Sequence, residues 1–362
     1  MLQFDVQGEV GKVADAERET ILTNPGFGVH FTDHMAHARW TADDGWHDAA
    51  VVAHAPITLS PAAAVLHYAQ EIFEGLKAYR RADGSVWLFR PEANGERFIR
   101  SARRLGLPEL PVEDFIASIE AVVRADEAWV PTPREGGEES LYLRPFMFAS
   151  EAFLGVRAAH QVDYYMIASP AGAYFATGVA PVDIWITTKY SRAGAGGTGA
   201  AKCGGNYASS LVAQQEAAAQ GCSQVLFADA ASGEHAEELG GMNVFFIDAE
   251  GRMLTPPLSD SILPGVTRSS IVQLAKDLGI EVAEQPVVLQ DVLTDIQQGR
   301  IKEAFACGTA AVITPIGAFK TTEGEFRIGD ESGERTLQLR QHLLDIQYGR
   351  ADDPHGWTHR VL

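Results

Sequence analysis

The chain reads as an α+β or mixed α/β protein of two domains. Three observations carry that expectation. Its 362 residues suit about two domains of ordinary size. Segments of helical period and of strand period interleave irregularly, with polar turns between them. A stretch of small residues at 169–181 falls near the middle of the chain, between the strand-like runs VDYYMIAS and PVDIWITT. The expected division is a small N-terminal α/β domain over 1–170, a connection over 171–182 and a larger C-terminal domain over 183–362.

The elements follow in order. Residues 62–70 read as a helix, with Ser60 as N-cap and Pro61 at the first position. Residues 86–89 read as a strand. Residues 94–105 read as a helix that carries Arg97, Arg100, Arg103 and Arg104. Residues 112–129 set Phe115, Ile119, Val122 and Val123 at helical spacing. PTPREGGEES, 131–140, is a loop, and 141–148 is a strand with Arg144 inside it. In the second half, 206–220 reads as a helix stopped by Gly221. Residues 224–228 and 244–247 read as strands, and 267–278 as a helix closed by Gly279. Short strands are expected at 304–306 and 311–316.

Composition narrows the function. Hydrophobic residues make up 46% of the chain, enough for a sizeable core. The formal net charge of −19 repels phosphate backbones and argues against nucleic acid as a partner. Any anion site must then be made locally. No apolar run is long enough to cross a bilayer, and the first twenty residues lack an apolar signal core. A soluble, cytoplasmic protein with no membrane partner is expected. The three cysteines, Cys203, Cys222 and Cys307, show no metal-ligand spacing, so free thiols and no metal are expected.

The stretch GGTGAAKCGGNYAS, 196–209, surrounds Lys202 with five glycines. A phosphate-cradling loop needs a glycine before the lysine and a Ser or Thr after it, and Ala201 and Cys203 stand there instead. The residues leave two readings: a surface lysine in a mobile loop, or an amine that forms an imine with a carbonyl compound. In EHAEELGGMNVFF, 234–246, the acidic run suits solvent. Glu238, set against glycines and a strand, could instead turn inward and need a cationic or donor partner. Pro264-Gly265-Val266-Thr267 opens a helix, which suits an anion as well as ordinary capping. The turn Cys307-Gly308-Thr309-Ala310 has the same character, and Arg97 or Arg100 could add a guanidinium. An imine-forming lysine, a carboxylate for a ring nitrogen and helix starts for a phosphate are together what pyridoxal 5'-phosphate (PLP) requires.

At this point the segments resemble a known family, the branched-chain amino acid aminotransferases among the fold-type IV PLP enzymes. The matching stretches are FTDHM (31–35), HYAQEIFEGLKAY (67–79), LFRPEANGERFIRSARRL (88–105), SLYLRPF (140–146), GAYF (172–175), GGTGAAKCGGNY (196–207), ELGGMN (238–243), PPLSDSILPGVTR (256–268) and CGTAA (307–311). They run in order through nearly the whole chain. The resemblance implies the two-domain fold of the D-amino acid aminotransferase type, a homodimer, and exchange of amino groups between L-leucine, L-isoleucine or L-valine and 2-oxoglutarate. It implies that Lys202 bonds the cofactor and shuttles the proton, that Tyr207 bonds the ring oxygen and that Glu238 bonds the ring nitrogen. Arg97, Gly265, Val266, Thr267 and Thr309 would hold the phosphate. Phe31, Tyr68, Phe73, Tyr142, Arg144, Tyr174 and the backbone at Thr309 and Ala310 would form the substrate pocket. Val156, in the Leu154–Val156 segment, would reach the pocket of a second subunit.

Two places depart from the family pattern. Residues 311–314 read Ala-Val-Ile-Thr where animal members carry a Cys-x-x-Cys pair, so no thiol switch is expected there. Gly241 stands where the family often has Thr, so a hydroxyl is missing and backbone groups must serve. The nearest rivals, the D-amino acid aminotransferases and aminodeoxychorismate lyases, share the Lys and the Glu but not the FTDHM, HYAQ and FRPEANGERFIRS segments. A PLP-binding sensor without catalysis would keep the phosphate site but could lose the lysine, and this chain has it.

Overall fold

The computed structural model describes residues 1–172 and 179–362, and every structural statement below concerns these. Tyr174 therefore lies outside the described residues, as does part of the expected connection. The chain divides into two compact units. The first comprises Met1–Ala176, Ala201–Gly204 and Ile346–Leu362; the second comprises Thr177–Ala200 and Gly205–Asp345.

The N-terminal run forms α1 (Asp15–Thr23), β1 (His34–Thr41), β2 (Gly45–Ala53), α2 (Val65–Tyr68), β3 (Glu71–Phe73), β4 (Leu76–Arg80) and β5 (Val86–Phe89). It continues with α3 (Pro91–Leu105), α4 (Val112–Ala125), β6 (Ser140–Ala149) and β7 (Gln161–Ala171). Next come β8 (Val182–Thr187), α5 (Gly204–Ala208), α6 (Leu211–Ala219), β9 (Gln224–Ala228), β10 (Ala236–Leu239), β11 (Asn243–Asp248) and β12 (Met253–Thr255). The chain ends with α7 (Val266–Asp277), β13 (Val282–Glu284), α8 (Leu289–Gln297), β14 (Ile301–Gly308), β15 (Val312–Thr321), β16 (Gly324–Arg327), α9 (Glu334–Gln347) and β17 (Thr358–Arg360).

The first unit is built on an antiparallel sheet of order β17-β5-β4-β6-β7-β1-β2, with β3 on β6. Alternation along β6 decides its two faces. Leu141, Leu143 and Met147 are fully buried in a core with Phe115, Ile119, Val122 and Val123 of α4. Tyr142, Arg144 and Phe146 are half-buried and fall on the other face. The helices thus cover one face and leave Tyr142 and Arg144 to the opposite one.

The second unit is built on a mixed sheet of order β10-β9-β8-β15-β14-β11-β12-β13, with β16 on β15. Strand β8 runs parallel to β9 and β15, and β12 parallel to β13. Leu289, Val292, Leu293 and Ile296 of α8 form an apolar stripe at helical spacing. They pack with Leu226, Val244, Phe246 and Phe319. Cys203, Cys222 and Cys307 are buried and unbridged. Among the described residues no helix is long and apolar enough to cross a membrane.

Strands 86–89 and 224–228 lie where the sequence put them, and α3 and α7 lie within three residues of expectation. Two helices differ. The one expected at 62–70 is only Val65–Tyr68: Ala69 adopts φ 49° and the next residues are captured by β6 as β3. Tertiary pairing there overrides local propensity. The helix expected at 206–220 breaks between α5 and α6. Ser209 and Ser210 donate their hydroxyls to the carbonyls of Asn206 and Tyr207, which competes with the helical ladder. The helix expected through 129 ends at Ala125 and gives way to a short 3₁₀ turn, Glu127–Trp129. Strands β1 and β2 had no counterpart in the sequence reading.

Candidate functional site

The expected site residues fall on both units. On the first, the four-residue segment Ala201–Gly204 carries Lys202. Ser101 of α3 accepts the Lys202 N–H at 2.9 Å, and Phe73 of β3 donates its own N–H to the Lys202 carbonyl at 2.9 Å. The Lys202 amine lies 4.7 Å from the centre of the Phe73 ring. The guanidinium of Arg144 lies 4.8 Å from the same ring and 5.3 Å from that of Tyr142, and it donates to the Tyr142 hydroxyl at 3.1 Å. The Nε of Arg144 is buried without a partner. Phe27 meets Tyr142 edge-on at 5.0 Å. A side chain at Gly75 would overlap the Tyr142 hydroxyl, so glycine lets that hydroxyl come close to the chain.

Beneath this group is a buried ion pair. Arg97 donates from Nε and Nη2 to the two oxygens of Glu74, at 2.7 and 2.9 Å, and Asn94 adds a bond at 2.7 Å. Burial opposes ionisation of Glu74 most strongly. Arg97, Lys202 and Asn94 outweigh it and hold the carboxyl below its ordinary range. The arginine expected at a phosphate is thus first of all locked in direction by Glu74.

Three more expected residues sit toward solvent on this unit. Phe31 stacks on His54 at 5.2 Å. Tyr68 donates to the Leu154 carbonyl. Leu154 and Val156 are 65% and 88% exposed, which is high for apolar side chains.

On the second unit the centre is Glu238 of β10, which is buried. It pairs with Arg192 and accepts the Leu263 N–H at 2.8 Å, with the Asn243 amide at 3.5 Å. Arg192 also donates to the carbonyls of Gly199 at 3.1 Å and Ser261 at 2.9 Å, and its Nε is buried without a partner. A side chain at Gly199 would overlap the Ser261 backbone. This glycine of the lysine loop therefore serves a chain-to-chain approach. Tyr207 lies beside Gly241, where an added Cβ would stand 3.6 Å from its ring.

Helix α7 begins at Val266 after Gly265, and no side chain caps it. Its first turn brings backbone N–H groups that the helical ladder does not use, and the positive dipole end, together with the buried Thr267. Gly265 is required because a side chain would overlap the Asn243 amide. The β14–β15 turn carries Thr309 and Ala310, and it ends on Val312 at φ 62°. That conformation is costly for a β-branched residue and fixes the turn.

Unit by unit, the groups are of the kinds that PLP requires: an amine on the first, and on the second a buried carboxylate for a ring nitrogen and a helix start without a side-chain cap for a phosphate. The orphaned Nε atoms of Arg144 and Arg192 mark places where a further acceptor belongs. Sequence reasoning missed Arg192, Asn243, Glu74, Ser101 and Glu71. Glu74 and Asn243 lie inside recognisable motifs and could have been found there. Arg192 lies just upstream of the glycine loop in no motif, and only the fold brings it to Glu238.

Comparison with known proteins shows the family. Residues 71–319 match the family model described as amino-transferase class IV. A probable branched-chain-amino-acid aminotransferase of Streptomyces coelicolor is 57% identical over 350 residues, 96% of this chain and 96% of its own. The branched-chain-amino-acid aminotransferase of Mycolicibacterium smegmatis is 53% identical, over 99% of this chain and 98% of its own. Among solved structures, the T.th. branched-chain amino acid aminotransferase with pyridoxamine 5'-phosphate superposes with a TM-score of 0.74 at 29% identity, covering 90% of this chain and 99% of that one. The same enzyme with N-(5'-phosphopyridoxyl)-L-glutamate and with 4-methylvaleric acid gives TM-scores of 0.72 at 28% identity, with the same coverage.

Proposed function

The chain belongs to the class IV aminotransferases, and on that footing we propose that it is a branched-chain amino acid aminotransferase using PLP. It moves the amino group reversibly between L-leucine, L-isoleucine or L-valine and 2-oxoglutarate, giving branched 2-oxo acids and L-glutamate. The observation that carries this is identity above half with such enzymes over nearly the entire chain. The geometry within each unit supports it.

PLP, when bound, supplies a conjugated ring able to take up the electron pair that an amino acid leaves when its α-proton departs. The chain does the rest. The Lys202 amine receives that proton at Nζ and returns it. Glu238, fixed by Arg192 and the Leu263 N–H, binds the protonated ring nitrogen, and Tyr207 binds the ring oxygen. The candidates for holding the phosphate are Arg97, oriented by Glu74, on the first unit and, on the second, the start of α7 at Gly265, Val266 and Thr267, with Thr309. Phe31, Tyr68, Phe73 and Tyr142 give an aliphatic side chain an apolar wall. Thr309 and Ala310 orient the substrate through their backbone.

One pocket must take both leucine and glutamate. Arg144 is suited to both: its buried, unpartnered Nε can meet a side-chain carboxylate, and its face lies against aromatic rings when the guest is aliphatic. The T.th. enzyme was solved with guests of both kinds. The exposed Leu154 and Val156 support a homodimer in which this segment covers the second subunit's pocket. Acidic composition and free thiols support a cytoplasmic location.

One titration tests the reading. The visible band of the PLP-loaded protein is recorded, and L-leucine or D-alanine is added without any oxo acid. Loss of the band with L-leucine alone, restored by 2-oxoglutarate, is the expected result. Loss with D-alanine alone assigns the chain to the D-specific relatives.

A further inference from the structure

The chain enters the first unit for only four residues around Lys202, Ala201–Gly204, and belongs to the second unit on either side. Four independent contacts, all within the first unit, hold this short piece. Ser101, fully buried one turn beyond Arg97 on α3, accepts the Lys202 N–H. Phe73, whose strand pairs with β6, donates to the Lys202 carbonyl. The Cys203 side chain is buried in the same core as Phe98 and Leu141. The Gly204 N–H donates to the Glu71 carboxylate. A side chain at Gly204 would overlap that carboxylate and displace it, so glycine suits the contact.

We propose that Ser101 and Glu71 are positioning residues for Lys202: they pin the backbone on both sides of the lysine so that its amine is delivered to one place over Phe73. The proposal rests on the transaminase reading for its kinetic consequence, though not for the clamp itself. The physical reason is the cost of looseness. A catalytic amine on a four-carbon stem already has many rotamers, and a glycine-rich backbone would add more. Fixing the N–H of residue 202, the carbonyl of residue 202 and the N–H of residue 204 removes the backbone share of that freedom. Burial raises the Glu71 carboxyl above its ordinary range, while the Gly204 N–H and the Arg144 charge restrain the rise. A carboxylate held there at that cost is consistent with a fixed acceptor.

The test uses the full-length protein and the variants Ser101→Ala, Ser101→Thr and Glu71→Ala. Amide hydrogen exchange of the cofactor-free protein is followed in the peptide that spans 201–204. The expected result is exchange faster by about tenfold in that peptide for Ser101→Ala and for Glu71→Ala, with the α3 and β6 peptides unchanged. In the loaded enzyme, kcat for L-leucine falls by about tenfold or more while KM stays within about twofold. The isotope effect with leucine deuterated at its α-carbon increases, because proton transfer by the amine becomes the slower step. Ser101→Thr, which keeps the hydroxyl, restores both exchange and isotope effect. Unchanged exchange at 201–204 in both variants overturns the proposal, as does a loss of protection spread over the whole unit with no change in isotope effect. A wild-type protein that leaves L-leucine untouched would sink the transaminase reading and leave the exchange result to judge the clamp.

Discussion

The two charged groups proposed to act on the cofactor, one on each unit, are anchored in opposite ways. Lys202 is fixed at its backbone, by Ser101 and Phe73 on its own peptide groups and by Glu71 just beyond it. Glu238 is fixed at its carboxylate oxygens, by Arg192 and the Leu263 N–H. The proposed roles account for the difference. An amine that carries a proton between two atoms must keep its stem movable on a firm base. A carboxylate that holds one ring nitrogen must not move, so the hydrogen bonds go to the charge itself.

The strongest challenge to this contrast is to remove the moving group. Lys202→Ala is expected to lower the rate with L-leucine by about 10⁴-fold or more, the scale of a lost general acid–base group. Its cofactor-free unfolding midpoint should stay close to wild type, because its named backbone bonds survive. Retained transamination in that variant overturns the mechanism. The fixed group should behave conversely. Arg192→Met leaves Glu238 as a buried charge without its cation and is expected to cost about 3–5 kcal/mol of stability by denaturant unfolding, before any cofactor is added. A midpoint equal to wild type would mean that Arg192 is not what holds Glu238.

The buried pair below Lys202 gives a pH signature. The folded-state pKa of Glu74 is depressed, so its contribution to stability is present above the ordinary carboxylate range and is lost as pH falls through the depressed value. Stability measured by denaturant from neutral pH downward should therefore fall in acid. In Glu74→Gln it should start lower and fall less. Equal acid slopes in the two proteins would show that Glu74 does not titrate as the pair requires.

The smallest expected effect is at Gly241. It is exposed, its φ is not in the left-handed region, and an added Cβ would meet the Tyr207 ring at ordinary contact distance. Gly241→Thr should keep stability within about 0.5 kcal/mol and thereby isolate what the missing hydroxyl does to KM. A large loss of stability would show that the glycine is needed for packing.

How much of this was legible beforehand differs between the fold and the site. Local pattern located α3, α7 and several strands, because apolar period and glycine stops are written in the residues themselves. It failed at 62–70, where the helix stops early and β6 pairs with the residues that follow, and at β1 and β2, whose alternation is interrupted by small and polar residues. Motif order was enough to name Lys202, Glu238, Tyr207 and Arg97 as the residues to examine. It gave no sign of Arg192, and it read the glycine-rich loop only as the setting of a surface lysine or of an imine-forming amine. Gly199 and Gly204 instead let protein atoms close on each other.

Residue identity and short spacing were enough to establish the chemistry on offer: one lysine in a glycine-rich loop, one carboxylate before a strand, helix starts for an anion, and an acidic chain with unpaired thiols. A linear text preserves such features. Which neighbours control them was decided in three dimensions. Glu74 and Arg97 are 23 positions apart, Arg192 and Glu238 46, and Ser101 and Lys202 101. A buried charge or amide must find a partner wherever the fold brings one, and that partner is chosen by packing, not by proximity along the chain.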